Sequence, residues 1–235
     1  MLNLLNTTAE LKKSKCRVAV VPIGSIEQHS DYLPLGTDLF IAETLAKKIA
    51  EVFKAYLLPI LPYSNSQEHD GTPGTVWLSP VTLINVINDL VESLIRSGMK
   101  KIILVNAHGG NHVIKSAIVN LKIRYPKIGI FLASLSWEKA YMAGNVNTNN
   151  AVHADPGETS LLYYVLNLSN KKRKIKKSVP LLSYELLESF GFKSLTKNGA
   201  WGESGTASYD KGRKIFETLL KSSVKELKQA LKFNE

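Results

Sequence analysis

The chain has 235 residues, 44% hydrophobic and 21% charged, with a formal charge of +10. That length suffices for one large α/β domain with a substantial core, and no linker divides it, so a single domain over 1–235 is expected. No apolar run reaches the roughly 18 residues that a membrane-spanning helix needs, and MLNLLNTTAELKKSK lacks the pattern of a signal peptide, so a cytoplasmic protein without membrane contact is expected.

Thr7 or Thr8 can cap a short first helix, with Glu10 and Leu11 behind it. An apolar run over 17–23 predicts a strand that stops at Gly24 and opens into Glu27-Gln28-His29, followed by Asp31 and Asp38. From Asp38 onward, Ile41, Leu45, Ile49 and Val52 recur at helical spacing and predict a helix of about four turns. A second strand is expected over 57–61, then a polar loop over 62–75 that is too long for a simple turn; such loops usually bind something. Ile84, Ile87, Val91 and Leu94 mark a helix over 80–97 ended by Gly98.

The apolar strand over 101–105 leads into Asn106-Ala107-His108-Gly109-Gly110-Asn111, and Ile114, Ala117, Ile118 and Leu121 mark the helix after it. A strand over 128–135 follows, then a loop and His153-Ala154-Asp155-Pro156-Gly157-Glu158, with a helix expected from Glu158 to about Leu168. The basic run Lys171, Lys172, Arg173, Lys174, Lys176 and Lys177 reads as a solvated loop: no aromatic residues interleave it for base stacking, so nucleic acid is not an expected partner. An irregular stretch precedes a last helix carrying Phe216, Leu220, Val224, Leu227 and Leu231. Strands alternating with helices imply a mostly parallel sheet covered on both faces, with the site built by loops at the carboxyl ends of strands.

Cys16 is the only cysteine, so a metal would have to be held by His, Asp and Glu. Glu27 and His29, two residues apart, can leave an extended segment on one side, and with Asp38 they offer the mixed oxygen and nitrogen donors that zinc, iron or manganese accept. Asp38 could equally be a helix cap. His29, His69, His108 and His153 all follow predicted strands in polar loops, which brings them to one edge of the sheet. The glycines after His108 allow close approach of backbone to a ligand, and the following helix start could hold an oxyanion; a ligand-free glycine turn is the alternative.

Together, EQH with LPLGTD, HDGTPGT, NAHGGN, HADPGETS and GAWGESGTAS resemble the creatininase (creatinine amidohydrolase) family, in the family's order and over residues 24–208. The resemblance implies a three-layer α/β/α fold, a homo-oligomer (hexamer or dimer) and a hydrolase of non-peptide C–N bonds that uses two divalent ions. It places Glu27 on the first metal, His29 on the second, Asp38 between them and His108 on the first, with His153 as catalytic base or proton shuttle. Ser66, His69, Gly109, Gly110 and Asn111 fall in segments associated with substrate. Creatininase proper has a glutamate where this chain has Gly110, so Asp155 or Glu158 is needed as a substitute; Glu158 could instead orient His153 or cap a helix. The HGGN form is shared with the formylaminopyrimidine ribonucleotide deformylase and the mycofactocin peptidase, which makes deformylation of a phosphorylated small molecule the leading activity and creatinine hydrolysis the runner-up. A non-catalytic metal or nucleotide-binding module is the reading of another class.

Overall fold

The computed structural model describes residues 1–233. Thr7 caps α1 (Thr8–Ser14): its hydroxyl accepts from the Glu10 N–H while the Glu10 carboxylate accepts from the Thr7 N–H. Four parallel strands, β1 (Val18–Ile23), β2 (Tyr56–Leu57), β3 (Lys101–Asn106) and β4 (Gly129–Leu132), form a sheet in the order β2-β1-β3-β4.

Period-2 alternation divides the core between the two faces. Val20, Ile103 and Val105 point to one side and pack with α2 (Thr37–Phe53), through Ile41, Leu45 and Ile49, and with the last helix. Ala19, Val21, Ile23, Ile102 and Leu104 point to the other and meet α3 (Pro80–Arg96) and α4 (Val113–Arg124) through Leu83, Ile87, Val91, Ile114 and Leu121. The result is a three-layer α/β/α sandwich with a parallel central sheet. β1 and β3 pair in register from Val18 with Lys101 to Ile23 with Asn106, so the segments that begin at Gly24 and Ala107 leave the sheet side by side.

α5 (Trp137–Ala143), α6 (Pro156–Val165) and α8 (Tyr209–Phe233) extend the first layer, where Tyr141, Leu161, Ile215, Phe216 and Leu219 are buried together. The expected strand over 57–61 shortens to two residues because Pro59 has no N–H to continue the ladder. The chain still runs beside β1, bridging Ile23 to Leu61. The basic run is not a loop: β5 (Lys172–Ile175) pairs antiparallel with β6 (Gly205–Ser208), buries Ile175 against Tyr163 and Ala207, and sets Arg173 over the ring of Tyr32 at 4.5 Å. Its lysines sit on the exposed side of a two-stranded ribbon. The stretch expected to be irregular contains α7 (Leu187–Leu195), bent at Gly191, where φ is +69°. Among the described residues no helix is long and apolar enough to cross a membrane.

Candidate metal centre

Gly24 ends β1 against the first turn of α2. A Cβ there would lie 2.8 Å from the Leu39 nitrogen and 2.9 Å from the Asp38 carbonyl carbon, so only glycine lets strand end and helix start meet this closely. The approach brings Glu27, His29 and Asp38 into one buried cluster. Asp38 is not a cap: Gly36 occupies the cap position, and the Asp38 carboxylate accepts from the Ser25 hydroxyl at 2.8 Å inside the protein.

The hydrogen bonds fix which ring nitrogen of each histidine faces the cluster. His29 Nδ1 lies 3.1 Å from the Glu27 carbonyl, which can only accept, so Nδ1 carries the proton and Nε2 presents its lone pair. That Nε2 lies 3.5 Å from Asp38 Oδ1 and 3.7 Å from Glu158 Oε1. His108 donates from Nε2 to the Asn65 carbonyl at 2.7 Å, which leaves Nδ1 facing Asp38 Oδ2 at 3.0 Å and Glu27 Oε2 at 3.2 Å. The two oxygens of Asp38 thus serve two different imidazoles. His29 Nε2 and Glu27 Oε2 are buried without a hydrogen-bond partner, an expensive arrangement unless an ion takes up their lone pairs.

Burial lowers the pKa values of His29 and His108, but the carboxylates around them, Glu158 and Asp38 for His29 and Glu27 and Asp38 for His108, reverse this and raise both well above the ordinary range, so an ion binding here would displace the second proton of each ring and gain the lone pair that faces it. Burial and the Glu27 charge push Asp38 upward, yet the His108 and His29 imidazoles facing its oxygens prevail and lower it to about 2. The pocket therefore keeps its carboxylates ionised and favours cations. The donor set and the unpartnered atoms fit divalent metal: Glu27 Oε2 and Asp38 Oδ2 both face His108 Nδ1, and Asp38 Oδ1 and Glu158 Oε1 both face His29 Nε2.

His153 is held through its backbone, which exchanges hydrogen bonds with Trp201, so the GAWG segment acts as a splint for this histidine. Its Nε2 donates to the Gln28 carbonyl at 2.7 Å, and its Nδ1 stands 3.8 Å from Glu27 Oε1. Burial, with His29 and His69 beside it, holds its pKa well below the ordinary value, so the ring is neutral with its lone pair toward the cluster. Ala154, next in the chain, adopts φ +50°, a left-handed conformation that turns the backbone from His153 into α6.

The structure does not bring Asp155 into the cluster. Its Oδ1 caps α6, accepting from the Gly157 and Glu158 N–H groups, and its Oδ2 accepts from the Tyr141 hydroxyl at 3.2 Å. Burial and the neighbouring Glu158 push its carboxyl up to about 7. α6 accordingly begins two residues earlier than expected, with Pro156 in its first position. Glu158 is inside the first turn and is not the cap; its Oε2 accepts from the Ala154 N–H at 2.6 Å while Oε1 faces His29.

The segments expected to contact substrate separate into two groups. Gly109 and Gly110 line a cavity of about 1070 Å³ over the cluster. Ser66 is fully buried behind His108, its Oγ 3.3 Å from Nε2, and Asn111 ties loops together through Asn65 and Asn106. His69 borders the cavity, but the Gln28 amide donates to its Nδ1 at 2.8 Å and its Nε2 faces Glu27 Oε1 at 3.4 Å, so both nitrogens already face protein groups. Phe192 stacks on the His69 ring, with centroids 4.2 Å apart. Gln28, Glu68, Tyr141 and Phe192 are site residues absent from the sequence expectation. Gln28, between Glu27 and His29, and Glu68, beside His69 in a long polar loop, carried local signals.

The family model described as creatininase, creatinine amidohydrolase, matches residues 5–227. The chain belongs to the creatininase family. Its members are metal-dependent amidohydrolases, and this chain is a hydrolase of C–N bonds on that ground. It is 28% identical over 231 residues to the mycofactocin precursor peptide peptidase of Mycolicibacterium smegmatis, spanning 95% of this chain and 89% of that one. It is 30% identical over 159 residues to the 2-amino-5-formylamino-6-ribosylaminopyrimidin-4(3H)-one 5'-monophosphate deformylase of Methanococcus maripaludis, spanning 67% and 63%. To the creatinine amidohydrolase of Pseudomonas putida it is 30% identical over 112 residues, 46% of this chain and 43% of that one. A solved manganese form of creatininase superposes with a TM-score of 0.80 at 20% identity, over 97% of this chain and 98% of that one. The creatininase fold thus extends across nearly the whole chain.

Proposed function

We propose that this creatininase-family hydrolase cleaves a non-peptide amide or formamide C–N bond at two divalent ions, zinc, iron or manganese. Glu27, His29, Asp38 and His108 would hold them, and Glu158 would complete the second position. The observation that carries the reading is the pair of buried, unpartnered ligand atoms, His29 Nε2 and Glu27 Oε2, on either side of a carboxylate whose oxygens face two imidazoles. When bound, such a pair supplies a water that is nucleophilic at neutral pH and polarises the carbonyl under attack. His153, neutral and aimed at the same place, accepts the proton of the attacking water and returns it to the departing nitrogen.

On its loop motifs the leading specific substrate is the formylaminopyrimidine nucleotide, with creatinine as the alternative. Charge constrains how that nucleotide would lie. Beyond the candidate ligands, the cavity lining carries Glu68, Asp70, Glu138 and Glu188, against Lys193 as the one lysine or arginine among the described lining residues. The Lys193 ammonium already donates to the Gly71 carbonyl at 3.3 Å. A phosphate dianion would therefore point out of the cavity with only the formamide end inside. A homo-oligomer, dimer or hexamer, belongs to the same reading.

The test is a substrate panel that measures formate, ammonia and amine release, with the formylamino compound supplied with and without its phosphate. Formate release at similar kcat from both forms supports the proposal. Amine or dipeptide release from peptides, with no formate released from either compound, would replace it with a peptidase reading.

A further inference from the structure

Glu68 stands beside His108 at the wall of the cavity, with a carboxylate oxygen within 4.8 Å of ligand atoms of both His108 and Glu27. It follows Gln67 in a single 3-10 turn, Gln67–His69, and its side chain is 13% exposed, unusual burial for a glutamate. Its Oε1 lies 3.4 Å from His108 Nε2, the nitrogen whose proton points to the Asn65 carbonyl at 2.7 Å, with the Ser66 hydroxyl at 3.3 Å. Three oxygens from one short segment, Asn65, Ser66 and Glu68, therefore surround one N–H, and only that of Glu68 carries a full charge.

Gly110 closes this arrangement. An added Cβ would fall 2.0 Å from Glu68 Oε1, 2.5 Å from His108 Nε2 and 2.8 Å from the Asn65 oxygen. The space beside the imidazole is taken by the carboxylate and the carbonyl, and residue 110 must lack a side chain for them to reach it. A metal-bound imidazole is held in orientation, and made a stronger donor, by what its other nitrogen bonds; a carboxylate does both better than a neutral group.

We propose that Glu68 is a positioning residue for His108: it draws on the Nε2 proton, fixes Nδ1 toward Glu27 and Asp38, and raises the affinity of the position those three residues face. The inference rests on the two-ion reading above. It does not draw on Glu158, which faces His29, or on His153, which faces Glu27 Oε1.

The experiment uses the full chain loaded with Zn²⁺ or Co²⁺, titrated with a chelator of known affinity, for wild type, Glu68→Gln, Gly110→Ala and the double variant. Glu68→Gln preserves volume, so its melting temperature should stay near that of wild type. It should release one of the two ions at about tenfold lower chelator concentration, with the other ion's release unchanged, and should shift the visible Co²⁺ spectrum of the weakened site. Its kcat should fall by a similar factor with little change in KM. Gly110→Ala should weaken the same ion more strongly, and the double variant should be no worse than Gly110→Ala, because both changes act on one imidazole. Ion affinities within twofold of wild type in Glu68→Gln would overturn the inference while leaving the two-ion reading intact, as would losses that multiply in the double variant. A wild-type chain that retains no divalent ion would instead sink the reading beneath it.

Discussion

Replacing Asp38 with asparagine keeps the shape of the side chain and removes one charge from the centre of the cluster. The carboxyl is held from its ordinary 3.8 down to about 2, against burial and the Glu27 charge that both push it upward, by the His108 and His29 imidazoles that face its two oxygens. At roughly 1.4 kcal/mol per pH unit that corresponds to about 2–3 kcal/mol of preference for the ionised form in the folded chain. Because the folded value lies below the unfolded one, this stability is present above about pH 4 and is lost as pH falls toward 2. For a chain of this size each kcal/mol moves the melting midpoint by about 2–4 °C. Asp38→Asn, stripped of metal, should therefore melt about 5–10 °C below stripped wild type at pH 7, with the gap narrowing in acid. Elemental analysis after dialysis should find both positions depleted, since the two Asp38 oxygens lie closest to His29 Nε2 and His108 Nδ1, at 3.5 and 3.0 Å, and turnover should be abolished. A variant that melts within a degree of wild type and retains two ions would refute the reasoning.

His153→Ala should retain both ions and lose about 10²–10⁴ in kcat, measured on whichever compound of the panel is hydrolysed; loss of an ion would make His153 a ligand and not a proton carrier. Asp155→Ala removes the cap of α6 and should lower stability by about 1 kcal/mol in a denaturant melt with metal content unchanged, and depletion of one ion would restore Asp155 to the ligand set. Gly24→Ala drives a methyl into the backbone of α2 and should cost about 1–3 kcal/mol, together with weaker retention of both ions in a chelator titration. An unchanged melt would show that strand end and helix start can separate freely.

The sheet and the candidate ligands at its edge were legible because their signals are local. β1 and β3 are uninterrupted apolar runs, and Glu27, His29 and His108 fall where those runs end, so parallel pairing brings them together with no further information. The Asp155-Pro156 pair also announces a helix start in the sequence, a cap followed by proline at the first helical position. A carboxylate in a cluster of candidate ligands reads more readily as one of them. What was not legible depends on contacts between distant segments. Phe192 reaches His69 across more than a hundred residues, and the basic run becomes a strand only through its register with Gly205–Ser208. Glu68 reaches His108 through the space that Gly110 leaves, whereas Asp70 in the same loop turns outward to accept from the Trp77 indole N–H.

Crystals of the metal-loaded chain, with data collected on both sides of the absorption edge of the loaded metal, test the central claim most directly. Two anomalous peaks per chain about 3.5–4 Å apart are expected, one against Glu27, Asp38 and His108 and the other against His29, Asp38 and Glu158. A single peak, or none within coordinating distance of both Asp38 oxygens, would contradict the account.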